Sequence, residues 1–226
     1  MIVDLHVHTR RSLDACIRPE KVVEIARRAG LSGIAITDHN TLQGAIDVRA
    51  ANPDDDFFVI PGAEYRTDCG DIVALFIEHE IVERESEQVI ARIHEQGGLA
   101  LLPHPYYSHR DIERLAEQCD LIEVWNARIP RETNQRAVDL AKNLAKPGYV
   151  GSDAHFGFEI GTCRVITETD DVRNDLATGR FRTEVGVTQP WVTMASSAVK
   201  AWRQSRYVSS AVYAASALKK SVFNRR

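Results

Sequence analysis

The stretch IVDLHVH, from Ile2 to His8, is a short apolar run that ends in two imidazoles, and GIAITDH, from Gly33 to His39, repeats the plan. Further apolar runs follow at Phe57 to Ile60, Ile72 to Ile77, Leu99 to Leu102, Leu121 to Val124, Tyr149 to Gly151 and Arg164 to Thr167. Their lengths suit buried strands. Nearly every run leads into a ligand-type side chain: His6 and His8, Asp38 and His39, Glu64, His104, Glu123 and Asn126, then Asp153 and His155. In a closed α/β barrel the C-terminal strand ends share one rim and converge on one site, whereas an open sheet spreads them along an edge. The pattern therefore predicts a closed barrel of roughly seven or eight βα units.

Helical stretches separate several of the runs. Pro19 to Ala29 is the clearest, with a proline in the first turn, apolar Val22, Val23, Ile25 and Ala26, and Gly30 as the stop. Glu83 to Gln96, Asp111 to Gln118 and Asn134 to Ala145 have the same character. After Glu184 the composition changes to Ala, Ser and Val with scattered aromatics, so residues 1–184 are expected to form the barrel and 185–226 a short helical extension. Helices are expected near Thr193 to Gln204 and Ser209 to Val222, packed on the barrel wall or on a partner subunit.

With 226 residues, 44% of them apolar, the chain can bury a sizeable core. The net charge of -4 marks no nucleic-acid or membrane partner by itself, but it is unevenly spread. From Val185 onward there is no Asp or Glu, and Lys200, Arg203, Arg206, Lys219, Lys220, Arg225 and Arg226 put +7 in the extension, against -11 in the first 184 residues. An anionic surface or a nucleic acid is the less favoured partner for this tail. The four cysteines are widely spaced without a C-x-x-C pair, which fits a reducing compartment. No signal-like segment opens the sequence and no run approaches the ~18 apolar residues of a membrane span, so a cytoplasmic protein is expected.

The polar strand ends carry the chemistry. His6 and His8 lie two residues apart on one strand face, a good chelate for one ion. Asp153 and His155 repeat that spacing late in the chain, and in a closed barrel a late strand neighbours the first; Asp153 can then complete the ion of His6 and His8 while His155 points to another. His104 stands between Pro103 and Pro105, which fix its backbone and exclude helix. Glu64 can bridge two cations through its two oxygens, and Asp14 in the first polar loop and His39 are further ligand candidates. Arg128 and Arg18 are the foremost candidates for a cationic clamp on an anionic substrate, with Arg10, Arg11, Arg66 and Arg110 behind them. Asp38 is expected to orient a ligand histidine.

The ordered set HVHT (6–9), ITDHNT (36–41), GAE (62–64), HPY (104–106), EVWN (123–126) and GSDAH (151–155) resembles the PHP family, named for polymerase and histidinol phosphatase, over about residues 1–167. The resemblance implies a distorted (β/α)7 barrel and a phosphoesterase with two or three divalent ions, zinc, manganese or iron. It assigns His6, His8, Glu64 and Asp153 to the first ion, Glu64 and His104 to the second, and Asp14, His39 and His155 to the third. Many relatives complete the second site with a histidine; here Asp71 stands in that place. A hydroxide bridging two cations is nucleophilic at neutral pH, because metals depress the pKa of bound water toward ~7. A small phosphomonoester or nucleotide is the expected substrate. The alternatives are cleavage of oligonucleotide ends, hydrolysis of a non-phosphate bond, and a catalytically silent metal-binding module.

Overall fold

A computed structural model describes residues 1–52 and 57–205. Its strands are β1 (Ile2–Asp4), β2 (Gly33–Ile36), β3 (Phe58–Arg66), β4 (Asp71–Leu75), β5 (Leu99–Leu102), β6 (Leu121–Asn126), β7 (Gly148–Gly151), β8 (Arg164–Thr167) and β9 (Phe181–Glu184). The helices are α1 (Pro19–Arg28), α2 (Gln43–Ala51), α3 (Ser86–Glu95), α4 (Ile112–Gln118), α5 (Arg131–Asn143) and α6 (Val172–Thr178), followed by α7 over residues 190–205. The second helix expected in the extension lies outside the described residues.

One sheet runs in the order β7-β6-β5-β4-β3-β2-β1-β8-β9 and curls into a nearly closed barrel. At the rim, His8 N donates to Ala154 O at 2.9 Å and Ala154 N to His6 O at 3.2 Å, joining the segment after β7 to the segment after β1. At the base, β8 pairs antiparallel with β1 through Ile2 and Val3, and β9 pairs with β8. This wedge distorts the barrel.

The βα alternation first fails between β3 and β4. Only Thr67 to Gly70 separate them, whereas a parallel return needs a crossover of about a dozen residues, so the strands pair antiparallel. Thr67 closes the turn through its N and Oγ1 on Gly70 O, and Gly70 adopts φ 131°, which favours glycine. As a result β3 runs on to Arg66, and Glu64 sits within the strand instead of just beyond it.

Strand alternation sorts the core into two layers. Ile60, Val73, Leu75, Leu101, Leu121 and Tyr149 share one cluster with Val3 and Ala35, so every barrel strand contributes to the lumen. Their neighbours Tyr65, Ile72, Ala74, Leu102 and Ile122 pack outward with Val89 and Ile93 of α3, Leu115 of α4 and Leu140 of α5. α1 and α2 cover the other side with Val22, Ala26, Ala45 and Val48 against Ile34, Ile36 and Val59. Because Ala63, Tyr65, Ile72 and Ile122 face the helices, the period of two turns Glu64, Asp71 and Glu123 toward the lumen.

Candidate metal centre

The lumen-facing acids meet the histidines at the rim. His6 Nε2 stands 3.7 Å from both Glu64 Oε2 and Asp153 Oδ1, and His8 Nε2 stands 3.5 and 3.3 Å from the same two atoms. On the other side of Glu64, His104 Nε2 lies 3.2 Å from Oε1, and Asp71 shares this corner. A third corner gathers His39, 3.0 Å from Glu64 Oε2 through Nδ1 and 3.6 Å from Asp14 Oδ2 through Nε2, with His155 Nε2 3.6 Å from Asp14 Oδ1. Asp153 and His104 hold φ of 52° and 29°, conformations that a non-glycine residue adopts only when its surroundings impose them.

Hydrogen bonding sets the tautomers. His6 Nδ1 faces Glu123 Oε1 at 3.0 Å, and His155 Nδ1 faces the Asp153 carbonyl at 2.8 Å; a carbonyl only accepts, so that nitrogen carries the proton. Ser12 Oγ donates to Asp38 Oδ1 at 2.6 Å, leaving its lone pairs for His8 Nδ1 and the His39 amide. Asp38 thus orients His8 through Ser12. In His6, His8 and His155 the Nε2 lone pair is left to face the site.

The donor set fits divalent cations. His6 Nε2, His8 Nε2, Asp14 Oδ1 and His104 Nδ1 are buried without a hydrogen-bond partner, a costly arrangement for polar atoms with nothing to bind. Bonds of about 2.1 Å to nitrogen and oxygen place tetrahedral ligand atoms roughly 3.4 Å apart. The four separations around His6, His8, Glu64 and Asp153 are 3.3 to 3.7 Å.

Electrostatics point the same way. Burial opposes a charge on His6, yet Glu123 and Asp153 outweigh it and hold its pKa well above the usual value. Burial also opposes protonation of His104, but Glu64 pushes it up to about 9. Burial resists the charge of Asp153 as well, and His6 and His8 overcome it, keeping this carboxyl well below its ordinary range. Burial and the adjacent His8 press His155 down to about 3, so it stays a neutral imidazole. A field that draws protons onto buried histidines draws metal cations as well, and the two compete.

A family model for the PHP domain matches residues 4–147, and a PHP-associated model matches residues 131–180. The chain belongs to the PHP domain family. An uncharacterized protein of Methanocaldococcus jannaschii is 36% identical over 117 residues, 47% of this chain and 68% of its own length. A second from that organism is 30% identical over 177 residues, 73% of this chain and 70% of its own. The solved structure of PsfC from Pseudomonas syringae superposes with TM-score 0.65 at 20% identity, covering 90% of this chain and 98% of that one, a likeness of fold.

Above the PHP cluster opens a cavity of about 880 Å³, lined by Asp14, His39, Glu64, Asp71, His104, Asp153 and His155 together with Arg11, Arg66, Arg128 and Lys200. Arg18 does not line it. As the residue before α1 it projects outward, 59% exposed, with Glu20 3.9 Å away. Arg128 is buried at the wall, its Nε 3.3 Å from Glu159 Oε1 and its guanidinium donating to Ser196 Oγ at 2.8 Å. Arg66 holds Asp71 through both carboxylate oxygens, at 3.1 and 2.9 Å. His109, left out of the site by sequence reasoning, stands 3.1 Å from the Asp71 amide.

α7 packs on the barrel with Val192 and Ser196 buried, and its Thr193, Ser196, Ser197 and Lys200 also join the cavity lining. No sequence motif marked these residues; only the absence of acidic side chains after Glu184 set the segment apart. No helix among the described residues is long and apolar enough to cross a membrane.

Proposed function

We propose that this PHP protein is a metal-dependent hydrolase of small phosphoesters, with one divalent ion held by His6, His8, Glu64 and Asp153 and a second by Glu64 and His104, with Asp71, which Arg66 already holds through both oxygens, at the same corner. The observation that carries this reading is the pair of buried, partnerless Nε2 atoms of His6 and His8, each 3.3 to 3.7 Å from two carboxylate oxygens beneath an arginine-lined cavity. Asp14, His39 and His155 form a third candidate position. The mixed nitrogen and oxygen donors suit zinc, manganese or iron alike.

Ions bound there supply Lewis acidity, polarising the phosphoryl oxygens and making water acidic enough to attack at neutral pH. The chain supplies the rest. Glu64 directs one oxygen toward each of the two positions. Glu123 and the Asp38–Ser12 pair fix the imidazoles of His6 and His8, so no reorganisation is needed when charge develops. Arg11, Arg66 and Arg128 line the cavity, paired with Asp47, Asp71 and Glu159, so a phosphate oxygen that reaches their guanidinium groups competes with those carboxylates.

A small substrate is favoured over an internal stretch of polynucleotide, because α7 contributes to the cavity lining and the cavity volume is that of an ordinary small-molecule site. The test is turnover by protein loaded with manganese or zinc. p-Nitrophenyl phosphate, its bis ester, mononucleotides and short single strands serve as substrates. Hydrolysis of small esters that chelator abolishes and manganese or zinc restores is expected. No turnover of any ester by fully loaded protein would sink the proposal, and cleavage confined to single strands would move it to a nuclease.

A further inference from the structure

Helix α7 brings a fixed positive charge into the cluster. Lys200 Nζ donates to Asp14 Oδ2 at 2.9 Å, and this is the oxygen that stands 3.6 Å from His39 Nε2. The contact is built into the helix docking. Ser196, Lys200 and Arg203 recur at helical spacing on the face turned to the barrel. Ser196 meets Arg128, while one nitrogen of Arg203 binds the carbonyls of Ser12 at 3.0 Å and Ala15 at 2.9 Å, gripping the loop that carries Asp14 from both sides.

We infer that the Lys200 ammonium takes the place of a cation at the corner formed by Asp14, His39 and His155, so that the centre holds two divalent ions instead of three. This inference rests on reading the cluster as a divalent-metal centre. An ammonium is a compact point charge with donors only, so it neutralises the Asp14 carboxylate and engages its Oδ2, while Oδ1 still faces His155. A divalent ion bound to both His39 Nε2 and Asp14 Oδ2 would share that oxygen with the ammonium, and an ion on Asp14 Oδ1 would still sit one carboxylate away from it, where like charges disfavour one another. His39 and His155 are then left beside a carboxylate whose Oδ2 is already engaged by the ammonium. The residue responsible lies outside the segments matched by the PHP and PHP-associated models, which end at residue 180.

The test is metal content, measured by mass spectrometry after loading the full chain with manganese or zinc and desalting. About two ions per chain are expected for the wild type, about three for Lys200→Met and Lys200→Gln, and about two for Lys200→Arg. In the wild-type background Asp14→Asn is expected to keep both ions, which serves as a second measurement if the lysine variants fold poorly. A wild type with about three ions, well-folded lysine variants that stay at about two, or loss of an ion in Asp14→Asn would each overturn the inference. No ion in any of these proteins would overturn the metal-centre reading and the inference with it. Ester turnover, followed on the same samples, judges the hydrolase proposal separately.

Discussion

Glu123 is not among the proposed ligands, yet two of them depend on it. Its Oε1 receives His6 Nδ1 at 3.0 Å, and its Oε2 receives the His104 amide at 2.8 Å. Carboxylates that orient metal-binding histidines are typically worth about 10–100-fold in metal affinity. Glu123→Gln is therefore expected to weaken metal binding by about that factor in calorimetric titration, with little change in secondary structure; unchanged affinity would refute the role. Gly151 makes a steric version of the same point. A Cβ built there would fall on Glu123 Oε1 and lie 2.6 Å from His6 Cβ, so Gly151→Ala must displace one or both. The variant is expected to lose at least one ion per chain while keeping its circular dichroism, and full metal content would contradict this.

At the scale of elements, α7 docks through a buried ion pair. Arg128 and Glu159 have side chains 5% and 1% exposed and approach to 3.3 Å, with Ser196 of α7 bound to the same guanidinium. Removing one member of such a pair leaves an uncompensated buried charge, which costs on the order of 3 kcal/mol. The His155 and Phe156 amides and the Thr188 hydroxyl still reach Glu159, which sets Arg128→Ala toward the low end of that effect. Urea unfolding measures it, and a change below about 1 kcal/mol would show the pair to be dispensable. These elements differ in how far the sequence announced them. β1, β2, β5 and β7 were legible because each is a short apolar run stopped by a ligand residue. α2 was not, since its buried residues are Gly44, Ala45 and Val48, too small to print a helical period. β9 is a polar strand at the sheet edge, with three of its four residues exposed, and carries no alternation to detect. Pairing between β3 and β4 depended on the length of a connection whose bounds were blurred. Lys200 was hidden for another reason: its role arises from a contact with Asp14 across 186 positions, which no local pattern encodes.

The whole molecule is tied together at the site. His6 and His8 follow β1, Glu64 lies in β3, Asp71 opens β4, His104 follows β5 and Asp153 follows β7, so the proposed ligand positions are spread around most of the ring. Between β7 and β1, closure at the rim depends on the bridge of Val7 to Ala154, beside His6, His8 and Asp153. Ions held by these residues would fasten the seam, and an unfolded chain offers no such assembled donors. A ligand that binds only the folded state at about 1,000 times its Kd adds roughly 4 kcal/mol. For a domain of this size each kcal/mol raises Tm by about 2–4 °C, so saturation with manganese or zinc is expected to raise Tm by roughly 8–16 °C, and chelator to reverse it. Asp153→Asn is the matched control. Asparagine tolerates the positive φ of 52° at this position and preserves the side-chain shape, but removes the charge shared by His6 and His8. The variant is expected to fold without metal and to lose most of the metal-induced shift in differential scanning calorimetry. An equal shift in wild type and variant would place the stabilising ions elsewhere on the chain and detach the stability of the barrel from this cluster.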